Sequence, residues 1–199
     1  MLIETLAYQW TVDATKKTRL RPNVVTCLCT HGGDMARPYA TSTDTFNSEF
    51  RANIAQWRTQ GRGLYVWDYA TLFGMLPLIC PDEKSYASNL RFYRDNGVKA
   101  LFMQGCGAGR GSYLDAMKVW LLAKLMWNPD CDMETHLVDF LNGYYGEAAA
   151  PHVLRYLSLV NDRAAREGDF AGRRTVAFRD HAVLAREVSA GEVEVFRRV

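Results

Sequence analysis

The stretch Gly63-Leu64-Tyr65-Val66-Trp67-Asp68-Tyr69 decides the fold. Every residue but one suits a strand packed on both faces, and the exception, Asp68, is a carboxylate. A buried carboxylate without partners is very costly, so Asp68 needs either partners or a chemical task. Aromatic rings flank it on both sides. An acid set among Tyr and Trp at the C-terminal end of a strand is the pattern expected of a sugar-handling α/β site. The structural alternative is a carboxylate that ties down a loop by accepting backbone N–H groups.

Three further stretches read as strands of the same kind: Glu4–Thr11, Asn23–Cys29 and Lys99–Gln104. Each is short with apolar residues on both faces, as in buried parallel strands. Helical patterns separate them. Asp44 can cap a helix carrying Phe46, Phe50, Ile54 and Trp57 on one face, with Gly61 as its stop. A second runs from Glu83 to Asp95 with Tyr86, Leu90 and Tyr93 inward and Asn96-Gly97 as the stop. A third starts at Ser112 with Asp115 three residues on, and ends before Asn128-Pro129. Its apolar residues cover most of its circumference, which predicts burial. The first connection, Val12–Pro22, is polar and reads as a loop.

Alternating strands and helices indicate βαβ units and a parallel sheet. A (β/α) barrel needs eight strands to close, and four leave open, apolar edges. The expected fold is therefore α/β, the C-terminal half of a TIM-type barrel with about four parallel strands, followed by helices. Residues 1–128 would form the partial barrel, and 129–166 a helical extension packed on it. In that extension Glu134–Leu141 stops at Gly143, and a second helix covers Ala148–Arg166. Residues 167–199 form an Arg-rich tail with a short helix over Phe178–Val188. The strand a few residues from Met1 favours truncation of a longer barrel. Either a missing N-terminal half or a partner would then cover the sheet edges.

Composition narrows the function. A net charge of +2 is too small to indicate nucleic acid or an acidic membrane surface as partner. No apolar run reaches the length of a membrane span. Met1-Leu2-Ile3-Glu4 lacks the basic start of a signal peptide, and the compartment stays open. Five cysteines in a chain of 199 residues, with no CxxC pair, do not form a disulfide framework.

Several residues carry candidate chemistry. Tyr8 is expected to line a sugar pocket, and Gln104, at a strand end, to hydrogen-bond a sugar hydroxyl. Trp67 and Tyr69 lie on the face opposite Asp68. Cys27, Cys29 and His31 alternate along a strand, but two thiols and one imidazole lack a fourth zinc ligand nearby, so no metal and no cofactor is expected. Gly105-Cys106-Gly107-Ala108-Gly109-Arg110-Gly111-Ser112 occupies a phosphate-loop position but fits neither the dinucleotide nor the Walker spacing. Arg110 is left as a contact for an anion such as a uronate. Asp34, on a glycine loop, is a candidate second carboxylate or a turn cap.

An ordered set of motifs adds a resemblance. It comprises Tyr8-Gln9-Trp10, Pro22-Asn23-Val24-Val25, Leu64-Tyr65-Val66-Trp67-Asp68-Tyr69, Asn89-Leu90-Arg91-Phe92, Gly97-Val98-Lys99-Ala100-Leu101-Phe102-Met103-Gln104-Gly105, Ala123-Lys124-Leu125-Met126-Trp127-Asn128-Pro129 and Tyr144-Tyr145-Gly146. Together, over about residues 4–160, they resemble the bacterial family called domain of unknown function 4838. That family is similar to glycoside-hydrolase barrels of the α-glucuronidase and hexosaminidase kind. The resemblance implies a longer barrel and a carbohydrate-active protein that acts on or binds a glycan at the C-terminal face of the strands. Asp68 would be the catalytic or substrate-anchoring carboxylate, with Tyr8, Gln104, His31, Asp34 and Arg110 as substrate contacts. Two departures stand out. This chain reads Cys29-Thr30-His31-Gly32-Gly33-Asp34 where the family often shows an acidic residue, and Phe102-Met103-Gln104-Gly105 where it often shows Phe-Glu-Gln-Gly. A non-catalytic carbohydrate-binding relic is therefore the alternative.

Overall fold

The computed structural model describes residues 1–30, 34–71, 73, 79–106 and 112–167, with Arg166 and Glu167 described by backbone alone. Its core is one sheet of four parallel strands in chain order: β1 (Ile3–Ala7), β2 (Val24–Cys29), β3 (Gly63–Tyr69) and β4 (Ala100–Gln104). Sequential parallel order with crossovers on one side is the topology of half a (β/α) barrel. The register sets Cys27 beside Tyr65 and Leu28 beside Val66, and across the next pair Trp67 beside Phe102 and Asp68 beside Met103.

Three helices follow strands two, three and four. They are α1 (Thr45–Trp57), α2 (Glu83–Asp95) and α3 (Asp115–Trp127). Asp44 caps α1 as its position predicts, accepting from the Asn47 N–H at 3.1 Å. α2 begins and ends where its apolar spacing and the Asn96-Gly97 stop place it. The connection from β1 to β2 has no α-helix. It is pinned to α1 instead, because the Trp57 indole donates to the Val12 carbonyl at 2.8 Å.

The period-2 alternation of the strands sorts their side chains onto two unlike faces. Leu28, Leu64 and Val66 point to the helices, where they meet Phe50, Ile54, Trp57 and Tyr93 in the main core. Leu28 and Ile54 are fully enclosed, each contributing about 1.5–3 kcal/mol over exposure. The other face is only partly covered. Tyr65, Trp67 and Tyr69 are half-buried there, while Leu6 and Phe102 are 49% and 52% exposed. β3 therefore alternates in burial and is not packed equally on both faces.

Two further helices, α4 (Met133–Tyr145) and α5 (Ala150–Glu167), pack on α3 through a second apolar cluster that includes Met117, Leu121, Leu137, Leu141, Val153 and Leu157. α4 runs through Gly143, where sequence places its stop, because that glycine sits in open space and costs only about 1 kcal/mol in a helix. Gly146, with φ +83°, ends it. The short helix expected over Phe178–Val188 lies outside the described residues.

Two other expectations are corrected. The first strand stops at Ala7, not Thr11. Thr11 Oγ1 folds back to accept from the Tyr8 N–H at 3.1 Å and Gln9 turns left-handed, closing a 3₁₀ turn over Gln9–Thr11. Trp10 is thereby 81% exposed and does not share a strand face with Tyr8. α3 starts at Asp115, after a left-handed Leu114, and Ser112 bonds Thr71 in place of capping it. Its flank of Val119, Trp120, Met126 and Trp127 is exposed, so α3 is buried on one side only.

Gly61 shows how tightly the entry to β3 is built. Its φ is +64°, and a Cβ there would stand 2.5 Å from the Val24 carbonyl oxygen. Gly61→Ala is expected to lower stability by about 1–3 kcal/mol, read as a shift in the urea midpoint.

Candidate functional site

Asp68 lies on the helix-facing side of β3 and is 2% exposed. Oδ1 accepts from the Thr30 hydroxyl at 2.6 Å, the Tyr39 hydroxyl at 3.1 Å and the Tyr69 N–H at 2.8 Å. Oδ2 accepts from the Tyr93 hydroxyl at 2.6 Å. Three neutral hydroxyls and one amide replace the water that a carboxylate would otherwise need. Burial raises the Asp68 pKa, and the hydrogen bonds from Thr30, Tyr93, Tyr69 and Tyr39 oppose it without cancelling it. The donors come from the end of β2, the loop after it, β3 itself and α2, so one carboxylate fastens four segments.

A second buried polar group lies beside it. Lys118 of α3 is 1% exposed and reaches Asp82 Oδ1 at 2.7 Å, the Cys80 carbonyl at 2.8 Å and the Ala70 carbonyl at 3.1 Å. The Tyr86 hydroxyl also donates to Asp82 Oδ1, at 2.9 Å. Burial pushes Asp82 up to about 6 although Lys118 pulls it down. Burial lowers Lys118, but the charge and hydrogen bond of Asp82, with Cys80 and Glu83, together outweigh it and raise its pKa above the ordinary lysine value. Glu83 adds a third carboxylate, whose Oε1 accepts from Asn161 Nδ2 of α5 at 2.6 Å. Between Asp68 and Asp82 is a cavity with about 10 Å³ for water centres, walled by Tyr39, Ser85 and Asn89. That is room for one water, whereas ligand pockets run to about 300 Å³ and more. Among the described residues, the helix-facing side around Asp68 and Asp82 is a packed polar core whose cavity has no space for a sugar ring.

The opposite face gathers the other strand-end residues. The Trp67 indole donates to Gln104 Oε1 at 2.7 Å and meets Phe102 edge-on, ring centres 4.8 Å apart. The Tyr69 hydroxyl hydrogen-bonds Tyr8, and burial, with Cys29 and Tyr8 nearby, pushes its pKa up to about 12. It therefore stays a neutral phenol. Burial also pushes the Cys27 thiol up to about 12 and raises Cys29, so both remain thiols at neutral pH. Trp67, Tyr69 and Gln104, with Tyr8 against Tyr69, form a half-buried aromatic and amide cluster at the C-terminal ends of the strands.

The sequence-predicted residues thus divide. Tyr8 and Gln104 share the open face, and Asp68 is separated from them by the thickness of the sheet. Asp34 is 3% exposed and holds its own loop: Oδ1 accepts from the Ala36 N–H, Oδ2 pairs with Arg37 at 3.5 Å, and its backbone bonds Asn47 of α1. His31 and Arg110 lie outside the described residues. Tyr39, Asp82, Glu83 and Lys118 were not singled out in the sequence. Lys118, set among apolar residues of α3 beside Met117 and Val119, was the available signal, since a lysine is almost never fully buried without a partner.

The family model for "Domain of unknown function (DUF4838)" matches residues 1–158. The chain belongs to this family. No curated protein and no solved structure matches it. The match covers all four strands and α1 to α4 and runs into α5, so the Asp68 cluster, the Lys118–Asp82 pair and the open-face cluster lie within the matched residues.

Two outcomes follow from the buried acids. Asp68→Asn turns an amide N–H₂ toward hydroxyl donors and is expected to cost about 1–3 kcal/mol in chemical denaturation. Because folding raises the Asp82 pKa, its contribution is present below about pH 4 and is lost as pH rises through about 6. The melting temperature of wild type should therefore fall across that window relative to Asp82→Asn, and parallel curves would contradict the assignment.

Proposed function

We propose that this domain is carbohydrate-active and glycoside-hydrolase-like, acting on or binding a glycan at the C-terminal ends of its strands. The observation that carries this reading is the Tyr8, Trp67, Tyr69 and Gln104 cluster on the face turned from the helices. (β/α) folds place their sites at that end of the strands. Tyrosine and tryptophan offer ring faces to the C–H groups of a pyranose and polar tips to its hydroxyls. His31 and Arg110, which follow β2 and β4 in sequence, belong to the same proposal as further glycan contacts.

One observation favours glycan binding without turnover. Hydrolysis of a glycosidic bond uses two carboxyl groups flanking the bond. Asp68, the catalytic candidate, is enclosed on the far side of the sheet and bonded by four donors. In this reading Asp68 is a positioning residue, holding Tyr69 and the loop after β2 where the glycan meets them. Completion of the barrel by further parallel strands on the edges of β1 and β4 would cover Leu6 and Phe102 and add the remaining wall.

Glycan-array binding tests the reading. The domain should bind at least one glycan class, and Tyr8→Ala or Gln104→Ala should reduce binding about tenfold or more with little change in melting temperature. Binding without reducing-sugar release supports recognition alone. Release that Asp68→Asn abolishes in folded protein would restore a catalytic role to Asp68. No binding to any glycan would sink the proposal.

A further inference from the structure

Each edge of the sheet lacks what the other edge carries. β1 and β4 are the end strands, and each is five residues long. The Ile3 N–H bonds the Asn23 carbonyl on the β2 side, and the Lys99 N–H bonds the Leu64 carbonyl on the β3 side. Successive N–H groups along a strand point to opposite edges, so those of Glu4, Leu6, Ala100 and Phe102 point outward. Among the described residues no strand pairs with them. On the side turned to the helices, β1 is short of cover. No α-helix follows it, and Ile3, which shares that side with Ala7, is exposed.

α3 has the reverse deficit. It packs on α2 through Leu122 and Leu125 and on α4 through Met117 and Leu121. Val119 and Met126 lie about half a turn round from the α4 contact, on an exposed flank. That flank sits at the end of β4, since a Cβ on Gly105 would stand 3.9 Å from Val119 Cγ2. Among the described residues no strand lies beyond β4 for it to cover.

We propose that a second copy of this chain closes the barrel. β4 of one protomer pairs in parallel with β1 of its partner, and β1 with the partner's β4, so two sets of four strands make the eight that closure needs. A two-fold relation forms both seams at once and leaves no free edge. At each seam the Val119 and Met126 flank covers the Ile3 side of the incoming β1, while Phe102 meets Leu6 on the inner side. The occupant is a second copy because one seam uses both complementary surfaces of the chain: a strand without a helix and a helix flank without a strand. A net charge of +2 per chain opposes the pairing little. The open-face cluster then lies on the inner wall, and the partner supplies the rest of that wall. This goes beyond the glycan reading and does not rest on it.

The test is sedimentation equilibrium of the full chain without sugar, over a range of protein concentration, with amide hydrogen exchange on the same samples. Wild type should give twice the 22.6 kDa of one chain. Leu6→Lys and Phe102→Lys put a charge on an edge that is already exposed, and each should give a monomer with unchanged far-UV circular dichroism. The Glu4, Ala100 and Phe102 amides should exchange at least about tenfold more slowly in wild type than in Leu6→Lys. A wild-type monomer at every concentration overturns the proposal. So does a dimer whose edge amides exchange freely or that survives both lysine substitutions, since its contact lies elsewhere. An assembly larger than a dimer also overturns it, because the seams then do not close. None of these readouts involves a sugar, so the glycan reading stands or falls separately on the array.

Discussion

The structure depends on one buried carboxyl group and the four donors that meet it. Asp68 sits where β3 ends, and its carboxylate is solvated entirely by the protein: Thr30, Tyr39, Tyr93 and the Tyr69 amide. Each donor belongs to a segment that the strand order alone would leave loosely placed. A carboxylate in an apolar layer is tolerable only when its lone pairs are met. The end of β2, the loop through Tyr39 and the last turn of α2 are thus drawn to one point. The rings of Tyr39, Phe50 and Tyr93 then pack on one another around it.

The Lys118 cluster extends the same principle toward the helical end. One lysine, set between three carbonyl or carboxylate oxygens, links the β3–α2 connection to α3. Asn161 on Glu83 brings α5 to the same place. The polar interior therefore serves cohesion between layers. On the opposite face, by contrast, Trp67, Tyr69 and Gln104 are only half-buried.

Much of this was legible in the chain. β3 and α2 fall where their apolar spacing puts them, and Asp44 caps α1 because an acid just before an apolar helical pattern has unsatisfied N–H groups to serve. Where sequence reading failed, a local bond or a missing neighbour overrode periodicity. Thr11 folding back on Tyr8 ended β1 four residues early. α3 has apolar residues nearly all round, yet Val119, Trp120 and Trp127 face outward, because only one of its sides meets the sheet and α4. The resemblance to the DUF4838 family proved sound, and the motifs that carried it include the β3 strand and the Gln104 strand end.

The sequence by itself determined the four parallel strands, the order of their helices and the fact that Asp68 needed partners. Alternation along the strand even placed Trp67 and Tyr69 opposite Asp68. Only the tertiary structure decided which of the two faces the helices cover. Period-2 alternation gives two faces but does not label them. That label came from the packing of Leu64 and Val66 on Ile54 and Tyr93, side chains far apart in the chain. It made Asp68 an interior fastening and left Tyr69 and Gln104 half-buried on the face turned from the helices.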